Sequence, residues 1–124
     1  MMTSIIRKIE KIIAVLLICF LPLPLVADAG NLQAEIDHLI QTVQTSNCAF
    51  IRNGKTHRSA EAIEHILKKH EHFKDKIQTT EEFIEYCASK SLLSNQPYQI
   101  KCPDRDAIES RQWFLEELKR FRSR

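Results

Sequence analysis

CAFIRNGKTHRSAEAIEHILKKHEH, Cys48 to His72, packs a cysteine, a turn, a helix start and four histidines into one stretch. Cys48 to Arg52 reads as a short strand. Asn53-Gly54 then supplies the two positive-φ positions of a tight hairpin turn, and Lys55 to His57 forms a short returning strand. Ser59 is placed to cap a helix, with Glu61 near its positive end. The apolar face of that helix is Ala62, Ile63, Ile66 and Leu67, continued by His70 or Phe73.

Outward from this stretch the helical spacing recurs. Leu32, Ile36, Leu39, Ile40 and Val43 predict an amphipathic helix from about Leu32 to Thr45. Thr79-Thr80-Glu81-Glu82 is a capping-box pattern, opening a helix that runs to about Lys90 and buries Phe83, Ile84, Cys87 and Ala88. Ser91 to Gln96 is turn-rich, Pro97 to Cys102 is a strand, and Pro103 to Glu109 is a polar linker. Ser110 caps a last helix carrying Trp113, Phe114, Leu118 and Phe121. The fold class is therefore α+β: about four helices around a small antiparallel sheet of two to three strands, in a single domain.

The first segment has the pattern of an export signal. Arg7, Lys8 and Lys11 precede the apolar run IIAVLLICFL, Pro22 and Pro24 interrupt it, and Ala27-Asp28-Ala29 supplies small residues for a peptidase. An uncleaved anchor would need roughly 20 apolar residues without such breaks. Cys19 lacks the small preceding residue of a lipid-attachment site. The expected mature domain is thus 30–124, exported to the periplasm or secreted, with no stable membrane anchor. Removing Arg7, Lys8, Lys11, Glu10 and Asp28 from a chain of 18 basic and 16 acidic residues leaves a net charge of +1. Such balance argues against a nucleic-acid binder, which carries a basic field.

Three cysteines remain, an odd count that leaves one unpaired or bridging to another chain. Cys87 falls on a helical core position and reads as a small hydrophobe. Cys48 and Cys102 border strands and are the expected bridge, worth roughly 4 kcal/mol in the chain-entropy account.

These residues together resemble a known family. Phe50-x-Arg52-Asn53-Gly54 is followed by Ser59-Ala60-x-Ala62 with Glu61, His65 and Lys69. Ile77-x-Thr79, Phe83-Ile84, Ala88-Ser89, Ser94 and Pro97-Tyr98 complete the set. The ensemble is similar to the YfeK-like family of short exported bacterial proteins, from about Glu35 to Phe121, with Trp113 at the family's tryptophan position. His70 departs from a more usual aromatic residue, and Ser94-Asn95-Gln96 lacks a frequent glycine. The resemblance implies a bacterial envelope protein of one domain and carries no reaction.

Glu61, His65 and Lys69 stand one helical turn apart, which makes a surface ion ladder or a helix-to-sheet tether, or else a general base with its orienter. A catalytic reading needs a nucleophile or metal. Ser89, Ser91 and Ser94 are available, but none sits in a nucleophile elbow. His65, His70 and His72 are a poor zinc set, because His70 and His72 point to different helix faces. Arg52 and Lys55 flank the turn, with Arg58 close behind: a solvated hairpin tip or an anion-binding one. Tyr98 beside Pro97 reads as strand-edge packing. The terminal Lys119-Arg120-Phe121-Arg122-Ser123-Arg124 complements a helix dipole and would touch anionic lipid only weakly. The expectation is a non-enzymatic binding or interaction domain with no metal or other cofactor and another envelope protein as its partner. The alternative is an enzyme or anion-binding site centred on Glu61, His65, Lys69 and Arg52.

Overall fold

The computed structural model describes residues 29–124, with side chains from Asn31 onward. The expected leader, residues 1–29, lies outside the described residues except for its last position, Ala29, where the first helix begins. The elements are α1 (Ala29–Thr45), β1 (Ala49–Arg52), β2 (Lys55–His57), α2 (Ser59–Phe73), a 3-10 turn (Lys74–Lys76), α3 (Thr80–Ala88), β3 (Gln99–Lys101), β4 (Ile108–Glu109) and α4 (Ser110–Arg122). Four helices and an antiparallel sheet bear out the α+β class. The sheet has four strands in the order β2-β1-β3-β4, one more than the upper expectation. The extra strand is Ile108–Glu109, at the end of the stretch read as polar linker. Only Ile108 in it is apolar, too little to show as an alternation.

Backbone chemistry explains the hairpin. Asn53 and Gly54 take φ of 50° and 76°, the left-handed pair that a two-residue turn between twisted strands requires. β1 then pairs Phe50 with His57 on one side and with Ile100 on the other. The register of β1 with β3 sets Ala49 opposite Lys101. One step outward, Cys48 meets Cys102, and the two sulfurs lie at 2.02 Å. Phe50 and Ile100 face the helices and are buried. Residues two further along the same strand face the same way.

The helices seal that face. Leu39 and Val43 of α1, Phe83 and Ile84 of α3 and Phe114 and Leu118 of α4 are fully buried in one core with Phe50, Ile66 and Ile100. Each such side chain contributes roughly 1.5–3 kcal/mol by leaving water. Among the described residues no helix is long and apolar enough to cross a membrane.

Several boundary readings need correction. α1 starts at Ala29, three residues before Leu32, and α3 stops at Ala88 rather than Lys90. The chain turns out there because Lys90 bridges to Pro97 and Tyr98 N donates to Ser89 O at 2.9 Å. Ser59 and Ser110 are first helical residues, not caps. The cap positions are Arg58 and Glu109, without side-chain bonds. Ser110 N donates to Tyr98 O at 2.8 Å, so β4 runs directly into α4 and the helix start is anchored by sheet pairing. The Thr79 cap is as expected, its hydroxyl accepting from Glu82 N at 3.2 Å while Glu82 accepts from Gln78 N at 2.7 Å. Leu67, assigned to the apolar face of α2, is exposed.

Candidate functional site

The register that joins the cysteines also builds a polar row. Extended one pair beyond Ile51 and Gln99, it brings Arg52 opposite Tyr98. Lys55 pairs with Arg52 from the other side, and the N–H of Ser110, the first residue of α4, donates to Tyr98 O. Arg52 and Tyr98 share the helix-covered face with Phe50 and Ile100. α2 crosses above them and lowers His65 and Lys69 onto the row.

A recess of about 30 Å³, room for one or two waters, opens there. Its polar lining is Arg52, His57, His65, Tyr98, Gln99 and Ser110, over apolar walls that include Phe50, Ala62 and Ile66. None of the lining residues is a carboxylate.

Hydrogen bonds fix its inner wall. His65 Nε2 lies 3.0 Å from Tyr98 Oη, with the two rings edge to face at 5.8 Å. Lys69, only 7 % exposed, donates to Lys90 O at 2.8 Å and to Tyr98 Oη at 3.3 Å. Tyr98 Oη accepts from Lys69, and its role toward His65 Nε2, donor or acceptor, follows the imidazole tautomer. Burial lowers the His65 pKa to about 4, and the charges of Arg52 and Lys69 push the same way. His65 is therefore neutral at ordinary pH. Burial also lowers the Lys69 pKa and raises that of Tyr98. Cys87 lies close enough to Lys69 to feel its charge, yet burial lifts the thiol to about 11.

The four residues singled out from sequence are not a ladder. Arg52 and His65 line the recess, while Lys69 stands behind Tyr98. Glu61 turns away to His57, with Oε2 at 2.8 Å from Nδ1. His65 thus lacks the carboxylate orienter that the spacing suggested, because β2 presents a nearer imidazole to Glu61. Tyr98, read as edge packing, is the hub of the cluster. The loop serines are occupied: Ser89 Oγ donates to Ile84 O, Ser91 Oγ accepts from Asn53 and Leu93 N, and Ser94 Oγ donates to Asn53 Oδ1. His70 and His72 pack edge-on against Phe83 and Phe73, away from His65. Among the described residues no group of three His, Cys, Asp or Glu side chains is placed to hold a metal ion.

Among the described arginines, Arg52 and the exposed terminal Arg124 alone form no salt bridge. Arg58, Arg105, Arg111, Arg120 and Arg122 each meet a carboxylate. Arg52, half-buried in the recess wall, meets none among the described residues.

With that geometry in place, comparison with known proteins assigns the chain to a family of unknown function, DUF5329, whose model matches residues 30–122; the chain belongs to this family. The chain is also 31 % identical over 91 residues to the uncharacterized protein YfeK of Salmonella typhimurium, covering 72 % of this chain and 76 % of that one. The YfeK-like resemblance of the sequence is borne out. No solved structure matches.

Proposed function

We propose that this is an exported, non-enzymatic binding domain that takes an anionic group of its partner into the Arg52 recess. The observation that supports this reading is the half-buried guanidinium with no carboxylate facing it. An isolated buried charge is costly, and an anion held by the planar fork of an arginine relieves that cost. Neutral His65 lines the recess without adding charge. Export is supported by the basic-apolar leader pattern and by the Cys48–Cys102 bridge, which persists in oxidising compartments. The partner expected there is another envelope protein.

Acid-base catalysis by His65 has less support, since Glu61, the carboxylate that would orient it, is committed to His57. The test is an NMR titration of the His65 ring with acetate and with inorganic phosphate. An anion beside the imidazole favours its protonated form, so the His65 pKa rises from about 4 toward the ordinary histidine value. Arg52→Gln abolishes the response. No shift at tens of millimolar anion, or an equal shift in Arg52→Gln, rules the reading out.

A further inference from the structure

The loop between α3 and β3 adjoins the recess and carries the most exposed apolar side chains of the described residues. Leu93 is 98 % exposed and Leu92 62 %. Two leucines in water are unremarkable when a loop is loose, but this loop is built. The Lys90–Pro97 bridge closes its base, and Asn95 turns it with φ of 58°. Ser91, itself buried, accepts from Leu93 N and Ser94 N at 3.3 Å each. Ser94 Oγ donates to Asn53 Oδ1 at 2.7 Å, and Asn53 Nδ2 reaches Ser91 Oγ at 3.4 Å. The leucine pair is thus fastened to the residue next to Arg52.

Charge on this face is predominantly positive, with Glu61 at its margin bonded to His57. No Asp or Glu occurs between Asp37 and Glu61, or between Glu85 and Asp104. Those two segments supply the hairpin and the loop, and they bring Arg52, Lys55 and Lys90 to one surface. In a chain of near-zero net charge, such separation leaves a local positive field that steers acidic partners.

We infer that the Leu92–Leu93 loop and the Arg52 recess form one docking surface for a protein segment that carries a carboxylate beside an apolar side chain. This inference rests on the anion-binding reading and names the partner's chemistry. The carboxylate enters the recess toward Arg52, and the apolar side chain packs on Leu92 and Leu93. An anionic bilayer fits less well, because a flat lipid surface does not follow Arg52 down the wall of a narrow recess, whereas one peptide side chain does.

The experiment pans a randomised heptapeptide display library on the folded domain with its disulfide intact. The expected sequences pair Asp or Glu with an apolar residue one or two positions away. Leu92→Ser with Leu93→Ser weakens the selected peptides by about tenfold or more, the loss expected of an apolar anchor, and keeps their acid preference. Arg52→Gln loses the acid preference. Thermal melts of these surface variants, matched to the parent, separate binding loss from unfolding. Acid-only selection, or peptides indifferent to the leucine change, overturns the docking surface and leaves the anion site standing. Selection without acids overturns both. Leucine-dependent sedimentation with phosphatidylglycerol vesicles, or leucine-dependent self-association in the ultracentrifuge, overturns the peptide assignment in favour of a lipid or a second copy.

Discussion

Two arginines of this domain, Arg52 half-buried and Arg122 exposed, meet opposite electrostatic fates. Arg122, near the end of α4, donates from Nε and Nη2 to Glu35 of α1 at 2.8 and 2.9 Å, and from Nη1 to Glu81 of α3. Thr80 adds its hydroxyl to the same Glu35 carboxylate. Glu35 is 3 % exposed, and the Arg122 bonds hold its pKa below the ordinary carboxylate range. Three helices are clasped by this cluster, and its one cation is answered by two carboxylates within the chain. Arg52 stands among His65, Lys69 and Tyr98 with no carboxylate among the described residues to answer it. A matched buried charge is architecture, and an unmatched one is an invitation to a ligand.

The largest test of this contrast concerns what holds the Arg52 side rigid in the absence of a matching charge. The Cys48–Cys102 bridge spans a sequence separation of 54, worth about 4 kcal/mol in the chain-entropy account. Replacing both cysteines with alanine is expected to lower urea stability by that amount and to loosen the β1–β3 register. Hydrogen exchange at Ile51 and Ile100 checks the second part, and unchanged protection there would show that the row stands without its staple.

Next come the arginines themselves. Arg122→Ala strands the buried Glu35 carboxylate and costs about 3 kcal/mol, the low end for breaking a buried pair because Arg122 remains 44 % exposed. Arg52→Ala, which breaks no ion pair, changes stability by about 0.5 kcal/mol or less. Equal losses in denaturant melts would erase the distinction.

A further test is a pH profile. The folded pKa of His65 is about 4, below the ordinary 6.5, so between these values the unfolded chain binds a proton that the folded chain refuses. Stability therefore falls as pH drops from about 6.5 to about 4, and His65→Gln flattens that window in thermal melts. Glu35 and Glu81 have depressed pKa values through Arg122. Their contribution is present above the ordinary 4.5 and is lost as pH falls further, a limb that Arg122→Ala flattens instead.

The helices were legible because their apolar spacing and the Thr79 cap are local signals. Strand β4 was not, since two residues held by Gln99 and Ile100 leave no periodicity of their own. Of the site, Arg52 was visible as a cation beside the hairpin turn and His65 as the middle member of a helical line with Glu61 and Lys69. Tyr98 was missed although its position was implicit. Once Cys48 and Cys102 are taken as antiparallel neighbours, stepping four residues inward from each reaches Arg52 and Tyr98. The Glu61–His65–Lys69 line ties α2 to sheet residues rather than forming a ladder, for a different reason. Helical spacing gives neighbours on α2 but is blind to β2, whose His57 captures Glu61. Likewise the basic tail looked like dipole compensation, while Arg122 in it closes the clasp through partners 41 and 87 residues away.

Cys87 has a bearing on how the molecule matures. Three cysteines among the described residues permit three rival pairings in a nascent chain, and one is native. With its thiol sealed in the interior and its pKa near 11, Cys87 is ionised only to about one part in ten thousand at neutral pH, so it hardly attacks a neighbouring cystine. Scrambling is then confined to the interval before the interior closes, and a finished molecule keeps its linkage without any repair catalyst.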